Sequence, residues 1–397
     1  MLLELVIAIT LGILAGTITG LIPGIHINLI GAILVSLHLF FLQYTSPIIL
    51  VIFIVAMALT HSFIDFIPSI FLGAPDEDTV LSILPGHELL KKGRGYEAVV
   101  LTAYGSIIAI FIILAISPIF IFILPKFEPI LKRIIPYLLI ASSIFLISKE
   151  NEKIPAVIVF LLSGFLGLAT LNSNVNQPFL PMLSGLFGAS SLIISIKTKV
   201  KIEKQIIEKP KINFKELIPP MIASAVTAPL TSFLPGLGSG QAAILGTSLI
   251  KSTKRGFLIL LGATNTIVLG LSFIVLYSIG RKRTGMAVVV ESLLSELTQK
   301  DVLIILITIT ITGIIAYYWT LILAKQIAKH INKINYSLLS ILILIIISLI
   351  VFIFSGFFGL FIFIISTATG LFGILSGVRR INLMGCLVIP VILIYLI

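Results

Sequence analysis

The chain is poor in charge, cysteine and tryptophan. Of its 397 residues only 11% are Asp, Glu, Lys or Arg, against the roughly 25% with which a soluble domain covers its surface. That excludes a protein wetted on all sides. The single cysteine, Cys386, excludes a disulfide framework and a cysteine metal site. Acidic residues are scarce too, 16 against 27 Lys and Arg, for a net charge of +11. In a soluble protein this balance would raise nucleic-acid binding. Here the basic residues form short clusters between apolar runs, as in loops held beside anionic lipid, and no nucleic-acid partner is expected. There is no G-x-x-x-x-G-K-[ST], so no built-in ATPase is visible, and no H-E-x-x-H zinc helix. Gly238-Ser239-Gly240 has a faint likeness to a serine-hydrolase turn, but G-x-S-x-G itself is not met.

Apolar residues are abundant: 58% of the chain is hydrophobic, and the mean hydropathy is +1.21. A spanning helix needs about 20 mostly apolar residues. The chain is therefore expected to be an all-α polytopic membrane protein with about 12 transmembrane or re-entrant helices, in the cell membrane with lipid around it. Residues 1–21 carry Glu4 alone and no basic segment, so they read as a retained first membrane helix and not as a secretory signal. Two apolar stretches, 237–250 and the region around 70–90, look short or broken.

The longest polar stretch, residues 197–216, is rich in lysine and is expected to be a cytoplasmic linker. It separates a first membrane repeat, 1–196, from a second, 217–397. Short segments recur in the same order on either side. Leu21-Ile22-Pro23-Gly24-Ile25 matches Phe233-Leu234-Pro235-Gly236-Leu237, and Phe71-Leu72-Gly73-Ala74 matches Leu260-Leu261-Gly262-Ala263. Lys91-Lys92-Gly93-Arg94-Gly95 resembles Arg281-Lys282-Arg283-Thr284-Gly285, and Ser163-Gly164-Phe165-Leu166-Gly167 matches Ser355-Gly356-Phe357-Phe358-Gly359. Repeats of this kind are a common architecture of secondary transporters, with the substrate site where the repeats meet. Both basic turns favour the cytoplasm, which points to parallel repeats.

The Pro-Gly segments are the strongest candidates for a site. Proline removes an amide donor and glycine relaxes the backbone, so both weaken a continuous helix. In lipid such a break is tolerated only where it is buried or lines a cavity. Free N–H groups at the helix start that follows can hold a carboxylate, and carbonyls nearby a cation. The candidate substrate-binding residues are Pro23, Gly24 and Asn28 in the first segment and Pro235, Gly236, Gly238, Ser239 and Gln241 in the second, joined by the polar triplet Thr264, Asn265 and Thr266 inside an apolar run. Ordinary loops and close helix packing are the alternatives. Candidate ion-coupling residues are His61 and Asp65, four apart on one helix face, and Asp76, which an offset of 189 residues sets opposite Asn265. No cofactor is expected beyond Na⁺ or H⁺ as coupling ion.

Ile70-Phe71-Leu72-Gly73-Ala74-Pro75, then Leu84-Pro85-Gly86-His87-Glu88-Leu89-Leu90-Lys91-Lys92-Gly93-Arg94-Gly95, together with the two Pro-Gly motifs, resembles the large permease subunit of tripartite tricarboxylate transporters (TctA-like). The chain departs from that pattern at Pro23-Gly24-Ile25-His26, where the family has a Gly-rich Pro-Gly-Leu-Gly, and at Pro85-Gly86, where it has Asp-Gly. The resemblance implies a divergent permease, with a small membrane subunit, an extracytoplasmic solute-binding protein and a carboxylate-bearing solute as partners, and homo-oligomers as a further possibility. The expected function is secondary, cation-coupled transport by alternating access, and no enzyme activity. The alternative from the residues alone is a membrane enzyme on a lipid-linked substrate, with His26, His61 and Asp65 as acid/base groups. A non-transporting membrane scaffold is a third reading. A doubled break with ionisable residues in one half only favours the transporter.

Overall fold

The structure, a computed structural model, describes residues 2–22, 34, 40–72, 79, 83–198, 203–234, 238–250, 253–294, 296–331 and 336–396. Among these the chain is helical, with no strand. In the first half run α1 (Leu2–Leu21), α2 (Pro47–Ile64), α3 (Phe66–Leu72), α4 (Ile83–Lys91), α5 (Gly95–Ser148), α6 (Lys153–Leu171), α7 (Phe179–Leu183), a π-helical turn (Ser184–Ala189) and α8 (Ser190–Thr198). The second half holds α9 (Phe214–Phe233), α10 (Ser239–Leu249), α11 (Lys254–Ile279), α12 (Gly285–Leu293), α13 (Gln299–His330), α14 (Tyr336–Leu375), a 3₁₀ turn (Arg380–Met384) and α15 (Gly385–Leu396). Among the described residues seven helical stretches are long and apolar enough to cross a membrane, and three shorter apolar ones accompany them. The segments that look short from sequence are short helices: α10 on one side, α3 and α4 on the other.

Two helices bend for identifiable reasons. Pro118, Pro125, Pro129 and Pro136 interrupt the hydrogen-bond ladder of α5. Phe120 of α5 stacks near Phe233, yet Ser143 lines a cavity with Gln241, eight residues beyond Phe233. A straight helix would carry those 23 residues about 35 Å, so α5 curves back. In α14 the break is Gly356, at φ +66°, a conformation that favours glycine. Its sequence match, Gly164, lies in the uninterrupted helix α6 with no such break, so the Ser163 and Ser355 segments differ locally.

Small residues set the helix crossings. A Cβ at Gly12 would lie 2.6 Å from the Phe53 carbonyl oxygen, one at Gly16 2.4 Å from that of Met57, and one at Gly20 3.0 Å from Ile64. Both sets of positions rise together, so α1 and α2 run parallel in close contact. Helix α11 is buried from Leu258 to Leu276. It crosses α5 where Gly105 abuts the Ile259 carbonyl oxygen, at 2.0 Å from an added Cβ, and Gly262 that of Thr102, at 2.1 Å. Further out, Gly385 abuts Phe160 O and Gly185 abuts Phe363 O, while Gly167 abuts Cys386 O and Gly370 abuts Leu186 O. Each contact has a counterpart about 200 residues away with the partners' halves exchanged.

The direction of the helices follows from their end contacts. The start of α9 meets the start of α11 through Glu216 and Arg255, 3.5 Å apart. The end of α9 meets the turn after α11, where Arg283 Nε donates to Thr231 O at 3.3 Å and Arg281 Nη1 to Phe233 O at 3.4 Å. These two helices are therefore parallel. The starts of α1 and α2 lie by α12, since Glu4, Ile49 and Val289 line one cavity, and α12 follows the end of α11. The α1–α2 pair and the α9–α11 pair thus run through the bundle in opposite directions. Parallel repeats, the expectation from charge, would set these two pairs in the same direction. Lys91–Arg94 and Arg281–Arg283 sit at opposite ends of α11, because one buried 26-residue helix separates them.

Candidate functional site

The sequence-predicted residues fall into two buried groups. The first lies where α2 ends against α11. His61 Nδ1 and Thr19 Oγ1 share a hydrogen bond of 3.1 Å, which ties α2 to the end of α1. Asp65 caps the C-terminus of α2. Its Oδ2 accepts from Asn265 Nδ2 at 3.4 Å, and the same amide donates to Ser62 O at 3.2 Å. Asn265 thus meets Asp65; Asp76, its expected counterpart by offset, lies outside the described residues. Its two neighbours behave differently. Thr264 Oγ1 donates back to Leu261 O of its own helix at 3.0 Å, whereas Thr266 Oγ1 is buried with no hydrogen-bond partner among the described residues, as is Thr60 Oγ1 on α2. Ser69 adds contacts sequence reasoning missed: its hydroxyl meets Asp65 O at 2.8 Å and Thr79 Oγ1 at 2.6 Å.

The second group lies at the start of α10, just past the second Pro-Gly. The Gly238 N–H donates to Gln241 Oε1 at 2.7 Å, so a side chain satisfies one orphan donor of the helix N-terminus. That bond also fixes the amide: with Oε1 turned to the backbone, Nε2 points the other way. Gln241 is 2% exposed, and Nε2 has no hydrogen-bond partner among the described residues. It borders a cavity of about 10 Å³ lined by Gln241, Ser143, Asn382 and apolar side chains including Leu146 and Phe160. Ser239 is fully buried beside it. Asn382 and Ser143 carry no motif and were not legible from sequence. Asn382 Nδ2 also donates to Glu150 Oε1 at 2.9 Å.

Pro23, Gly24, His26, Asn28, Asp76, Pro235 and Gly236 lie outside the described residues. A larger cavity, about 340 Å³, is lined by Glu4, Thr45 and eleven apolar residues of α1, α2, α12 and their neighbours, away from both polar groups. Among the described residues no cluster of three or more metal-ligating side chains occurs.

A profile of the Tripartite tricarboxylate transporter TctA family matches residues 6–385. The chain belongs to this family. It is a multi-pass protein of the plasma membrane, built for transport. It is also 33% identical over 397 residues to "Uncharacterized protein MJ1079" of Methanocaldococcus jannaschii, covering 97% of this chain and 98% of that protein. No solved structure matches.

Proposed function

We propose that this TctA-family chain is a secondary, cation-coupled permease that moves a small carboxylate-bearing solute by alternating access between two inverted repeats, with the Pro-Gly tips at the site. The observation that carries the reading is Gln241. A buried amide N–H without an acceptor costs about 1–3 kcal/mol, and this one stands at a helix start that follows a break in the membrane. A solute oxygen that accepts from it removes that cost. Ser143 and Asn382 extend the contact surface. The opposed directions of α1–α2 and α9–α11, and the exchanged glycine contacts, support inverted repeats.

In this reading Pro23, Gly24 and Asn28 supply the second tip, and Asn265, Thr264 and Thr266 the wall between them. Asp65, with His61 and Asp76, takes the coupling Na⁺ or H⁺: an ionisable residue buried within a membrane span marks an ion path by default. A small membrane subunit and an extracytoplasmic binding protein complete the tripartite system. The test is solute-induced thermal stabilisation of purified protein against mono-, di- and tricarboxylates. One class should raise the melting temperature of the wild type and leave Gln241→Met unmoved. An equal shift in both proteins would remove Gln241 from the site.

A further inference from the structure

Three ion pairs between described residues join the two halves, and two of them, those of Lys254 and Arg255, lie at the face that carries the linker. Lys254 of α11 pairs with Glu88 of α4. Arg255 Nε lies 3.1 Å from Glu97 of α5, whose other oxygen pairs with Arg94. Arg379 Nε lies 2.9 Å from Glu150, in the turn between α5 and α6. Two of the carboxylates are nearly out of solvent, with side chains 6% exposed at Glu97 and 4% at Glu150. The linker is built into the same face. Gln205 Oε1 accepts from Gly95 N at 2.8 Å, its Nε2 donates to Leu90 O at 3.1 Å, and Ile206 N donates to Gly93 O at 2.7 Å. Arg255 reaches Lys211 O, 2.9 Å away. At the opposite face the pair Lys282–Glu291 stays within the second half, as do the bonds of Arg281 and Arg283 to α9.

We propose that this face is an ionic latch between the halves, and that the structure is the state closed on the linker side. The latch rests on the alternating-access reading above. Separating the halves there would take Arg255 from Glu97, leaving it Arg94 alone, and Arg379 from Glu150; a nearly dry setting makes such losses costly, so the pairs hold that side shut until solute and coupling ion offset them. The strapped linker moves with α4 and α5 while Arg255 moves with α11, so the linker is the hinge-side element of the latch.

The test uses the full chain with Cys386→Ala and a reporter Leu146→Cys. Leu146 lies 7% exposed beside the Gln241 cavity, two residues before Ser148, the last residue of α5. Thiol labelling is timed in vesicles with the linker face outward. Arg255→Gln and Glu150→Gln should each speed labelling about tenfold, within the usual range of coupling between sites. The swap Glu97→Arg with Arg255→Glu should bring the rate back toward the parent. Unchanged labelling in the single variants, with the proteins monodisperse, would overturn the latch. So would a swap that labels as fast as Arg255→Gln. Carboxylate uptake is measured on the same preparations: labelling that responds as expected without uptake in any of them would sink the transporter reading and leave the latch standing.

Discussion

Replacing Asn265 by leucine should destabilise the protein as well as disturb the site. The side chain makes two donor contacts across the α2–α11 boundary, 3.2 Å to Ser62 O and 3.4 Å to Asp65 Oδ2. Both are at or beyond the long end of the N–H···O range, which places each near the lower bound for its type: about 0.5 kcal/mol for the neutral acceptor and about 1.5 for the carboxylate. Leucine is close in volume, so no cavity term is added. The loss is then about 2 kcal/mol. Asn265→Asp should cost more, since it sets a second carboxylate against Asp65. Thermal or detergent unfolding, read against the parent, measures it. A leucine variant as stable as the parent would mean that Asn265 does not join α2 to α11, and the first polar group would dissolve as a unit.

The remaining predictions are local. Gly262→Ala should lower the melting temperature markedly, because its Cβ would sit 2.1 Å from Thr102 O and α11 and α5 would have to part; overpacking of this kind costs about 1–3 kcal/mol, and a variant that melts with the parent refutes the crossing. Lys254 holds the Glu88 carboxyl below the ordinary glutamate range, chiefly through their hydrogen bond, with Lys92 and Lys91 adding to it. A folded-state value lowered in this way stabilises the fold above the unfolded-state value, and the contribution is lost as pH falls through the folded one. Carboxyl NMR should therefore show Glu88 titrating below about 4.3 and rising in Lys254→Met; the same midpoint in both would remove the pair.

Helix content, membrane class and family were legible because they rest on quantities the sequence displays directly: apolar run lengths, the scarcity of charge, and the Pro-Gly and Lys-Gly-Arg turns. The breaks at α3–α4 and α10 were legible for the same reason, since short apolar runs cannot span. Long-range partners were not. Nothing local marks Asp65, 200 residues away, as the acceptor for Asn265. Gln205 looked like one polar residue in a charged linker, yet it is buried and clasps the turn before α5. Loop charge pointed to parallel repeats because it only counts residues, whereas Arg281 and Arg283 are spent on the carbonyls that end α9. Ser143 and Asn382 carry no signal at all until the bend of α5 brings them to Gln241.

The central claim is coupled movement of a carboxylate, and uptake into proteoliposomes tests it most directly. Purified protein would be reconstituted alone and then with its binding-protein and small-subunit partners. Radiolabelled mono-, di- and tricarboxylates would be offered with an inward sodium gradient, an inward proton gradient, or neither. The account predicts accumulation of one carboxylate class above its external concentration, driven by one of the two gradients, abolished in Asp65→Asn and strongly reduced in Gln241→Met. Accumulation that needs neither gradient, or that proceeds equally well in both variants, would contradict it.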